Sequence, residues 1–486
     1  MLSGIYDPSM ILAVIPELGL VILALLVLGF DLAWKEDRRR ALGWLTAGGM
    51  LLIAVLALVF ARPAAPGLIF GGMLRNDWLS FTFRMVFLFG AAITALFAMD
   101  MEKLGRRGEF YLLLITAALG MSLMASSADL VMLYLAIETT SIPLYVLAGF
   151  LLRDERSMEA SFKYFLFGAL TSTVMLYGFS LVYGFTGTTQ IYTLAAIFAA
   201  GQLPTYVMVG LILLLLVGFG FKVAAVPFHF WAPDVYEGSP SPVAGFLSTA
   251  SKAAGFAVLM RFLLVAFPTT APTWSLVLAV LSTASMLLGN VLALSQKNIK
   301  RLLAYSSIAQ AGYMLIGLAA VSSLSGLGFK GTIYYLVAYL VTNLAAFGVV
   351  SVVGQANGSD EISAYAGLSR RSPGIALALM VAFLSLGGIP PFGGFVGKVL
   401  VIAAAINANL VWLAAVGIFN SIIGLYYYLT VVKVMYLNRS DTESLPLPLT
   451  RPWRIALVLC VAGILLLGVW IGPWFNWAAT AVATIR

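Results

Sequence analysis

The chain contains 486 residues, of which 62% are hydrophobic and only 10% are charged. A soluble protein of this length would form about two to four domains and carry about 25% charged residues. The composition therefore excludes a soluble enzyme, a nucleic-acid-binding protein and a disordered chain. It predicts an all-α, polytopic membrane protein.

Fourteen segments provide the roughly 20 mostly apolar residues that a bilayer-spanning helix needs. In chain order, these predicted spans cover residues 11–31, 41–61, 78–99, 109–126, 129–152, 160–185, 205–231, 240–267, 273–294, 299–320, 329–353, 374–407, 410–437 and 453–479. The first span lacks the basic flank and the cleavage site of a signal peptide, so we expect it to be retained. Segment 191–200 is predicted as a surface helix beside the bilayer.

The lysines and arginines of the loops are divided unequally between the two sides of the membrane. Loops after odd-numbered spans carry seventeen of them: Lys35, Arg38, Arg39, Arg40, Lys103, Arg106, Arg107, Arg153, Arg156, Lys297, Lys300, Arg301, Arg370, Arg371, Arg439, Arg451 and Arg454. The other side carries Arg62, Arg75, Lys330 and Arg486. The positive-inside rule then predicts both termini on the outer side.

Two short stretches of sequence occur twice. Residues 164–183 align without gaps onto 334–353, and a Pro-Phe pair occurs at both Pro227 and Pro391. Five spans separate the copies, so each copy enters the membrane from the opposite side. This arrangement indicates an inverted repeat, which many transporters use to build a site at the membrane midplane. Chance similarity between apolar segments is the alternative.

One acid, Glu138, lies within span 5 and is expected deep in apolar surroundings. An isolated carboxylate at this depth is costly and must be paired, hydrated or protonated. Glu138 is therefore a candidate proton acceptor, or the counter-ion of one. The alternative is an ion pair that only holds helices together.

Span 7 combines a lysine, a proline and the chain's one histidine. Pro227 removes a backbone hydrogen bond and predicts a break near residues 224–228. Lys222, opposed to Glu138, could exchange a proton as its partner moves. His229 lies seven residues beyond Lys222, on nearly the same face of a continuous helix. It could relay protons near neutral pH or be a structural histidine.

Two more lysines lie inside later spans. Lys252, in span 8, is surrounded by small residues. Lys398 is expected to end the interrupted segment of span 12, where two prolines and five glycines at 387–397 prevent a regular helix. Lys222, Lys252 and Lys398 are expected to form one line in the bilayer plane, bridged by water or by Ser, Thr and Tyr hydroxyls.

The remaining cations within spans have simpler explanations. Lys163, in span 6, is either part of the same line or an i,i+4 partner of Glu159. Arg84 is interpreted as structural. Arg261 and Lys433 lie near span ends, where long side chains can reach the interface.

The sequence shows no pattern typical of a metal-binding or nucleotide-binding site. The single cysteine and single histidine exclude a disulfide framework, a Cys-ligated metal and bis-His haem within the chain. The glycines at 387–397 lack the order of a Walker motif. We therefore predict no metal site, no cofactor site and no ATP-driven step in this chain.

At this point three stretches become decisive: KVAAVPFHFWAPDVYEGSPSPVAGFLSTASKAAGF, IETTSIPLYVLAGFLLRDERSMEASFKYFLFGA and LSLGGIPPFGGFVGK. In sequence and order they resemble the subunit N family of bacterial NADH–quinone oxidoreductase, respiratory complex I. The resemblance covers most of the chain. Related subunits L and M share the fold, but subunit L has a long C-terminal lateral helix that is missing here, and subunit M has a glutamate where this chain has Lys398.

The resemblance implies one transmembrane domain over residues 1–486. Spans 1–3 would cover about 1–107, two inverted five-helix repeats about 108–268 and 269–437, and the last helix 438–486. It further implies that Glu138, Lys163, Lys222, Lys252, Lys398 and, less directly, His229 carry protons. NADH, FMN, iron–sulfur clusters and quinone would be bound by partner subunits, and the neighbours would be M-like and K/J-like membrane subunits in a bacterial inner membrane.

Two other functions share some of these features. A subunit of an Mrp-type cation/proton antiporter would carry the same lysines and broken helices without a redox partner. A purely structural membrane scaffold would tolerate replacement of Glu138 and Lys222. The three stretches quoted above favour the complex I subunit.

Overall fold

A computed structural model describes residues 9–201, 203–321, 326–440 and 446–485. Among them, thirteen helices are long and apolar enough to cross a membrane, and two shorter apolar helices together form span 12. The predicted all-α fold with fourteen spans is therefore confirmed. The spans comprise Ile15–Ala33 (1), Ala41–Phe60 (2), Trp78–Ala98 (3), Gly108–Ser126 (4), Leu130–Ala148 (5), Glu155–Thr186 (6), Thr205–Val223 with Trp231–Gly238 (7), Ser241–Val265 (8), Ala271–Ala293 (9), Ile299–Ala319 (10), Leu327–Asn357 (11), Pro373–Gly387 with Gly393–Asn407 (12), Val411–Leu437 (13) and Arg451–Val469 (14).

Short elements occupy several of the connections. Four further α-helices cover Ser9–Ala13, Ile191–Ala199, Leu368–Arg371 and Ile471–Ala483. A small antiparallel hairpin, which the sequence analysis did not predict, pairs β1 (Gly67–Ile69) with β2 (Leu74–Asn76). The predicted surface helix at 191–200 is present and packs one side against the protein, where Phe198 stacks on Phe267.

The last predicted span, 453–479, is wrong as a single helix. Span 14 ends at Val469, and a separate helix begins at Ile471. Pro473 has no N–H with which to bond the Val469 carbonyl, so the hydrogen-bond ladder is interrupted there. Residues 1–8 and Arg486 lie outside the described residues, and the outer placement of the termini stays a prediction.

The core of the molecule lies around spans 8, 10 and 11. Span 8 is buried along its whole apolar length, and spans 10 and 11 nearly so. Spans 1, 2, 6 and 13, in contrast, expose many large apolar side chains. These outer helices suit contact with lipid or with neighbouring membrane subunits, whereas polar groups on the central helices are shielded from both.

The internal repeat is visible in the order of the elements. Spans 4–8 and spans 9–13 each have a very long third helix, of 32 and 31 residues, followed by a broken fourth helix. The second helix of each set starts at a side chain that caps it, Asp129 or Asn298. Each capping residue also pairs across an isolated bridge, Asp129 with Gln190 and Asn298 with Glu361. Corresponding structural details thus recur five spans apart.

Both predicted helix breaks are present and have related geometry. In span 7, the first half ends at Val223 and is followed by Ala224, with φ of 55°. In span 12, the first half ends at Gly387 and is followed by Gly388, with φ of 83°. A left-handed residue at this position is a common helix terminator. The two prolines and the glycines therefore interrupt the helices as the sequence predicted.

The two left-handed residues offer a matched test. Gly388→Ala should lower the free energy of unfolding by about 1–2 kcal/mol, because an L-residue is disfavoured at this backbone conformation. A Cβ atom there would also lie 2.9 Å from Lys398 Cδ. Ala224→Gly should not destabilise, because glycine adopts the same conformation freely. Thermal unfolding in detergent compares the two, and an unchanged melting temperature for Gly388→Ala would contradict the argument.

Candidate functional site

Lys222 lies in the last turn of the first half of span 7 and is buried. Its Nζ donates a hydrogen bond to Ser141 Oγ on span 5. A cation is favourable at this end of a helix, where the last carbonyls carry partial negative charge. Trp231, which opens the second half of span 7, donates to the Phe221 carbonyl at 3.2 Å. A carbonyl freed by the break is thus hydrogen-bonded by Trp231, and Lys222 is held beside span 5 by Ser141.

Glu138 is half-buried within the chain, and its apolar surroundings are completed by whatever covers the outside of span 5. It belongs to the outer stripe of span 5, between Leu135 and Ile142, which are 56% and 58% exposed. Hydropathy does not show which face of a helix is covered, and residues three or four positions apart share a face. One Glu138 carboxylate oxygen accepts a hydrogen bond from Ser172 on span 6.

Glu138 and Lys222 do not form a direct ion pair; among the described residues, no salt bridge joins them within 4.0 Å. Ser141, one helical turn after Glu138, occupies the position next to the Lys222 ammonium. The two charges still interact electrostatically. The arrangement is therefore a carboxylate bonded to Ser172 and an ammonium bonded to Ser141, which interact without direct contact.

His229 does not share a helix face with Lys222, contrary to the expectation. It lies in the non-helical segment between Val223 and Trp231, because the span 7 break stops the helical repeat. Its side chain is buried, and among the described residues its Nδ1 meets no partner in hydrogen-bond geometry, although the Pro227 backbone interacts with the side chain. His229 is thus a buried group whose nearest polar partner is the backbone of the span 7 break.

Lys252 lies at the centre of the molecule and is 1% exposed. The preceding segment, Leu247–Ser251, forms a π-helical turn within span 8, a feature that is common at functional sites. Lys252 Nζ donates to the carbonyl oxygen of Ser307 on span 10 at 2.6 Å and also to its hydroxyl. Ser248, in the same turn, accepts from Asn343 on span 11 at 2.6 Å.

Lys398 lies inside the second half of span 12, at the sixth residue of Gly393–Asn407, and not at its end as expected. The helix restarts earlier because the prolines precede Gly393. The side chain turns back toward the break, where Nζ donates to the Gly387 carbonyl at 3.3 Å. The same nitrogen lies 4.5 Å from the centre of the Tyr313 ring.

Contacts between neighbouring helices link Lys222 to Lys252 and continue from Lys252 into span 10, on which Lys398 also packs through Tyr313. Span 8 packs directly on Lys222 at Gly255, where an added Cβ would lie 3.0 Å from Lys222 Cβ. Gly255 is one turn from Lys252, which bonds to Ser307. The adjacent residue, Ser306, hydrogen-bonds to Tyr428 at 2.5 Å. The lysines therefore follow one another through spans 7, 8, 10 and 12.

Gln310 and Tyr428 join this row, although the sequence analysis did not select them. Gln310 donates to Tyr428 Oη at 3.3 Å and to the Leu386 carbonyl, at the span 12 break, at 3.0 Å. Its Oε1 accepts from Tyr335. One sequence feature could have identified Gln310. It is the one side-chain amide within apolar span 10, and a buried amide requires hydrogen-bond partners.

Lys163 lies apart from the row. Its Nζ forms salt bridges with Glu159 at 2.5 Å and with Asp234 at 2.6 Å. Arg301 binds the same Asp234 at 2.7 Å and Glu237 at 2.8 Å. The i,i+4 pair with Glu159 is thus formed, within a larger network. This network ties the second half of span 7 to spans 6 and 10.

Two buried ion pairs lie away from the lysines. Arg261 was expected to extend toward the membrane interface; instead its side chain is buried in the protein, 2% exposed, and binds Asp77 through two nitrogens at 2.6 and 3.0 Å. Its partner is 184 positions away in sequence, which no local pattern could show. Arg84 binds Glu17 at 2.8 Å, consistent with its structural interpretation. The described residues contain no cluster of three or more metal-ligating side chains.

Comparison of the sequence with known proteins identifies the family to which the chain is similar. A model described as "NADH:quinone oxidoreductase/Mrp antiporter, TM" matches residues 127–424. NADH-quinone oxidoreductase subunit N from Moorella thermoacetica is 43% identical over 469 residues, covering 96% of each chain. Subunit N 2 from Symbiobacterium thermophilum is 41% identical and covers 100% of this chain and 99% of its own.

The chain belongs to the NADH-quinone oxidoreductase subunit N family.

A solved structure of a relative supports the same assignment. A chain of respiratory complex I from Thermus thermophilus with bound aureothin is 36% identical, with a TM-score of 0.80 and coverage of 96% of this chain and 99% of that one. A chain of the Mrp complex from Dietzia has a TM-score of 0.84 but only 21% identity, so it shows the shared fold alone. The matched range 127–424 contains all the lysines of the row and Glu138.

Proposed function

We propose that this subunit N-family chain is a proton-translocating membrane subunit of a bacterial NADH–quinone oxidoreductase. The observation that supports it most strongly is the ordered row of Lys222, Lys252 and Lys398 through the buried centre of the fold. Three ammonium groups in an apolar interior are costly unless they have a function and partners. Each of them contacts a hydroxyl, a carbonyl or an aromatic ring.

Proton transfer would start at the basic, inner side and reach Lys222 first. Glu138 is the electrostatic partner of Lys222, and movement of either group would change how tightly Lys222 holds its proton. His229 lies beside this step, in the break of span 7. The proton would pass to Lys252, then along the groups around Ser306, Tyr428 and Gln310 to Lys398, and leave on the outer side. Lys163, through its salt bridge to Asp234, would hold the second half of span 7 in place at the inner side, where the proton enters.

The energy for this transport would come from outside the chain. In this proposal NADH, FMN, the iron–sulfur clusters and quinone are bound by partner subunits, and M-like and K/J-like subunits are the neighbours in the inner membrane. The exposed apolar faces of the outer spans fit such neighbours. A free-standing Mrp-type antiporter would have the same fold, but relatives above 40% identity are named as oxidoreductase subunits.

Lys252→Met provides the test. It removes the central ammonium while keeping an apolar side chain of similar length, so redox-driven proton pumping in membrane vesicles should fall at least about tenfold. Lys433→Met is the matched control, because Lys433 is an exposed lysine of span 13 and its loss should leave pumping unchanged. Subunit content is measured in both membranes.

Normal pumping by the Lys252→Met complex would overturn the proposal and favour the scaffold. Antiporter function is tested separately by affinity purification. Recovery of flavin and iron–sulfur subunits with this chain supports the oxidoreductase, whereas recovery of antiporter subunits alone contradicts it.

A further inference from the structure

The surroundings of Lys398 differ from those of the other cations in and beside the row. Lys222 has Glu138 as an electrostatic partner, and Lys163 has two acids in contact. Lys252 donates to two oxygens of one residue. Lys398 is 4% exposed, and no acidic side chain within the described residues interacts with it electrostatically. Like Lys252, Lys398 lacks an acidic partner in the part of the chain that the structure describes, but it has one carbonyl contact where Lys252 has two oxygens.

We propose that the ring face of Tyr313 takes the place of the missing counter-ion and is a positioning residue for Lys398 in proton transfer. The inference rests on the proposed function. The Lys398 ammonium lies 4.5 Å from the ring centre, within the distance at which the negative face of an aromatic ring attracts a cation. The attraction is strongest where water is excluded, and Tyr313 is 1% exposed.

Besides span 10, four neighbouring segments surround the second half of span 12. The first half of span 12 offers Lys398 the Gly387 carbonyl at 3.3 Å. Span 11 contacts the helix through Tyr335 at Gly397, span 13 places Tyr428 beside Gly387, and span 14 contacts the start of the helix through Leu467. None of these described groups is an acidic side chain. The groups seen to contact the ammonium are the Gly387 carbonyl and the face of the Tyr313 ring.

The hydroxyl end of Tyr313 holds the ring in this orientation. Asn290 donates to Tyr313 Oη at 3.3 Å and to the carbonyl and side-chain oxygens of Asn420 at 3.2 Å. The Tyr427 hydroxyl donates to Asn290 Oδ1 at 3.1 Å. These polar groups join spans 9, 10 and 13 behind the ring. They fix the ring without themselves contacting Lys398.

Tyr313→Phe and Tyr313→Leu separate the ring face from the hydroxyl and from general packing. Phenylalanine keeps the face and the close packing of the buried ring and loses only the hydroxyl bond, so pumping in the assembled complex should stay within about twofold of the wild type. Leucine removes the face, and pumping should fall roughly tenfold, the scale of a desolvated cation–π interaction.

Tyr313→Met is a second variant of intermediate size, for use if the leucine variant is absent from the complex; it should show the same loss. Equal losses in the phenylalanine and leucine variants, or normal pumping without a ring, would overturn the inference. Lys398→Met distinguishes this failure from that of the proposed function. If Lys398→Met abolishes pumping while Tyr313→Leu does not, the row is supported and the role of Tyr313 is rejected.

Discussion

Replacing Glu138 by glutamine should leave the complex assembled and reduce both proton pumping and coupled quinone reduction at least about tenfold. Glutamine keeps the size of the side chain and can still accept the hydrogen bond from Ser172, but it carries no charge. Lys222 then loses its electrostatic partner. Because Lys222 keeps its bond to Ser141, the variant should retain its fold.

Glu109→Gln is the control for this change, because Glu109 is an exposed acid in the first turn of span 4. Pumping and quinone reduction are measured in the same vesicles, with subunit content checked by immunoblot. A normal pumping rate with Glu138→Gln at normal subunit content would rule out the acid as a participant in proton transfer.

Arg261→Met should produce the largest loss of stability, about 3–5 kcal/mol, because it leaves the buried Asp77 carboxylate with only the more distant Arg75, at 3.9 Å, as a cation. Asp77 is fully buried, and it also caps span 3 through the Ser80 N–H. Arg261 further donates to the Ala125 carbonyl at 2.8 Å. One residue thus joins span 8 to span 3 and to the end of span 4.

The double variant Arg261→Met with Asp77→Asn separates the charge from the packing. Removing the carboxylate should restore part of the lost stability, as judged by thermal unfolding in detergent and by the amount of chain in membranes. If the single and double variants are equally unstable, the ion pair is not the source of the effect.

The features that could be predicted from the sequence are those that depend on local composition: the spans, the helix breaks and the burial of the three lysines. Apolar length located the spans, and Pro227, Pro391 and their neighbouring glycines located the breaks, because a proline acts on its own helix wherever the helix packs. The burial of Lys222, Lys252 and Lys398 followed from their positions within long apolar runs.

The sequence could not predict features that depend on packing between distant segments. The exposure of Glu138 is decided by which helices cover span 5, and the partner of Arg261 lies on another span. Gln310 became part of the site only when its hydrogen bonds to Tyr428 and Leu386 were seen. The hairpin of β1 and β2 is too short to give a periodic signal, since each strand has only three residues.

The half-exposed position of Glu138 has a consequence for how this subunit is studied. The energy needed to keep a carboxylate charged depends on the dielectric medium beside it. On the outer stripe of span 5 that medium is supplied by whatever lies against Leu135 and Ile142: lipid, detergent or another protein. The strength of the interaction between Glu138 and Lys222 is therefore set in part outside the chain, and it is a property of the assembled membrane arm.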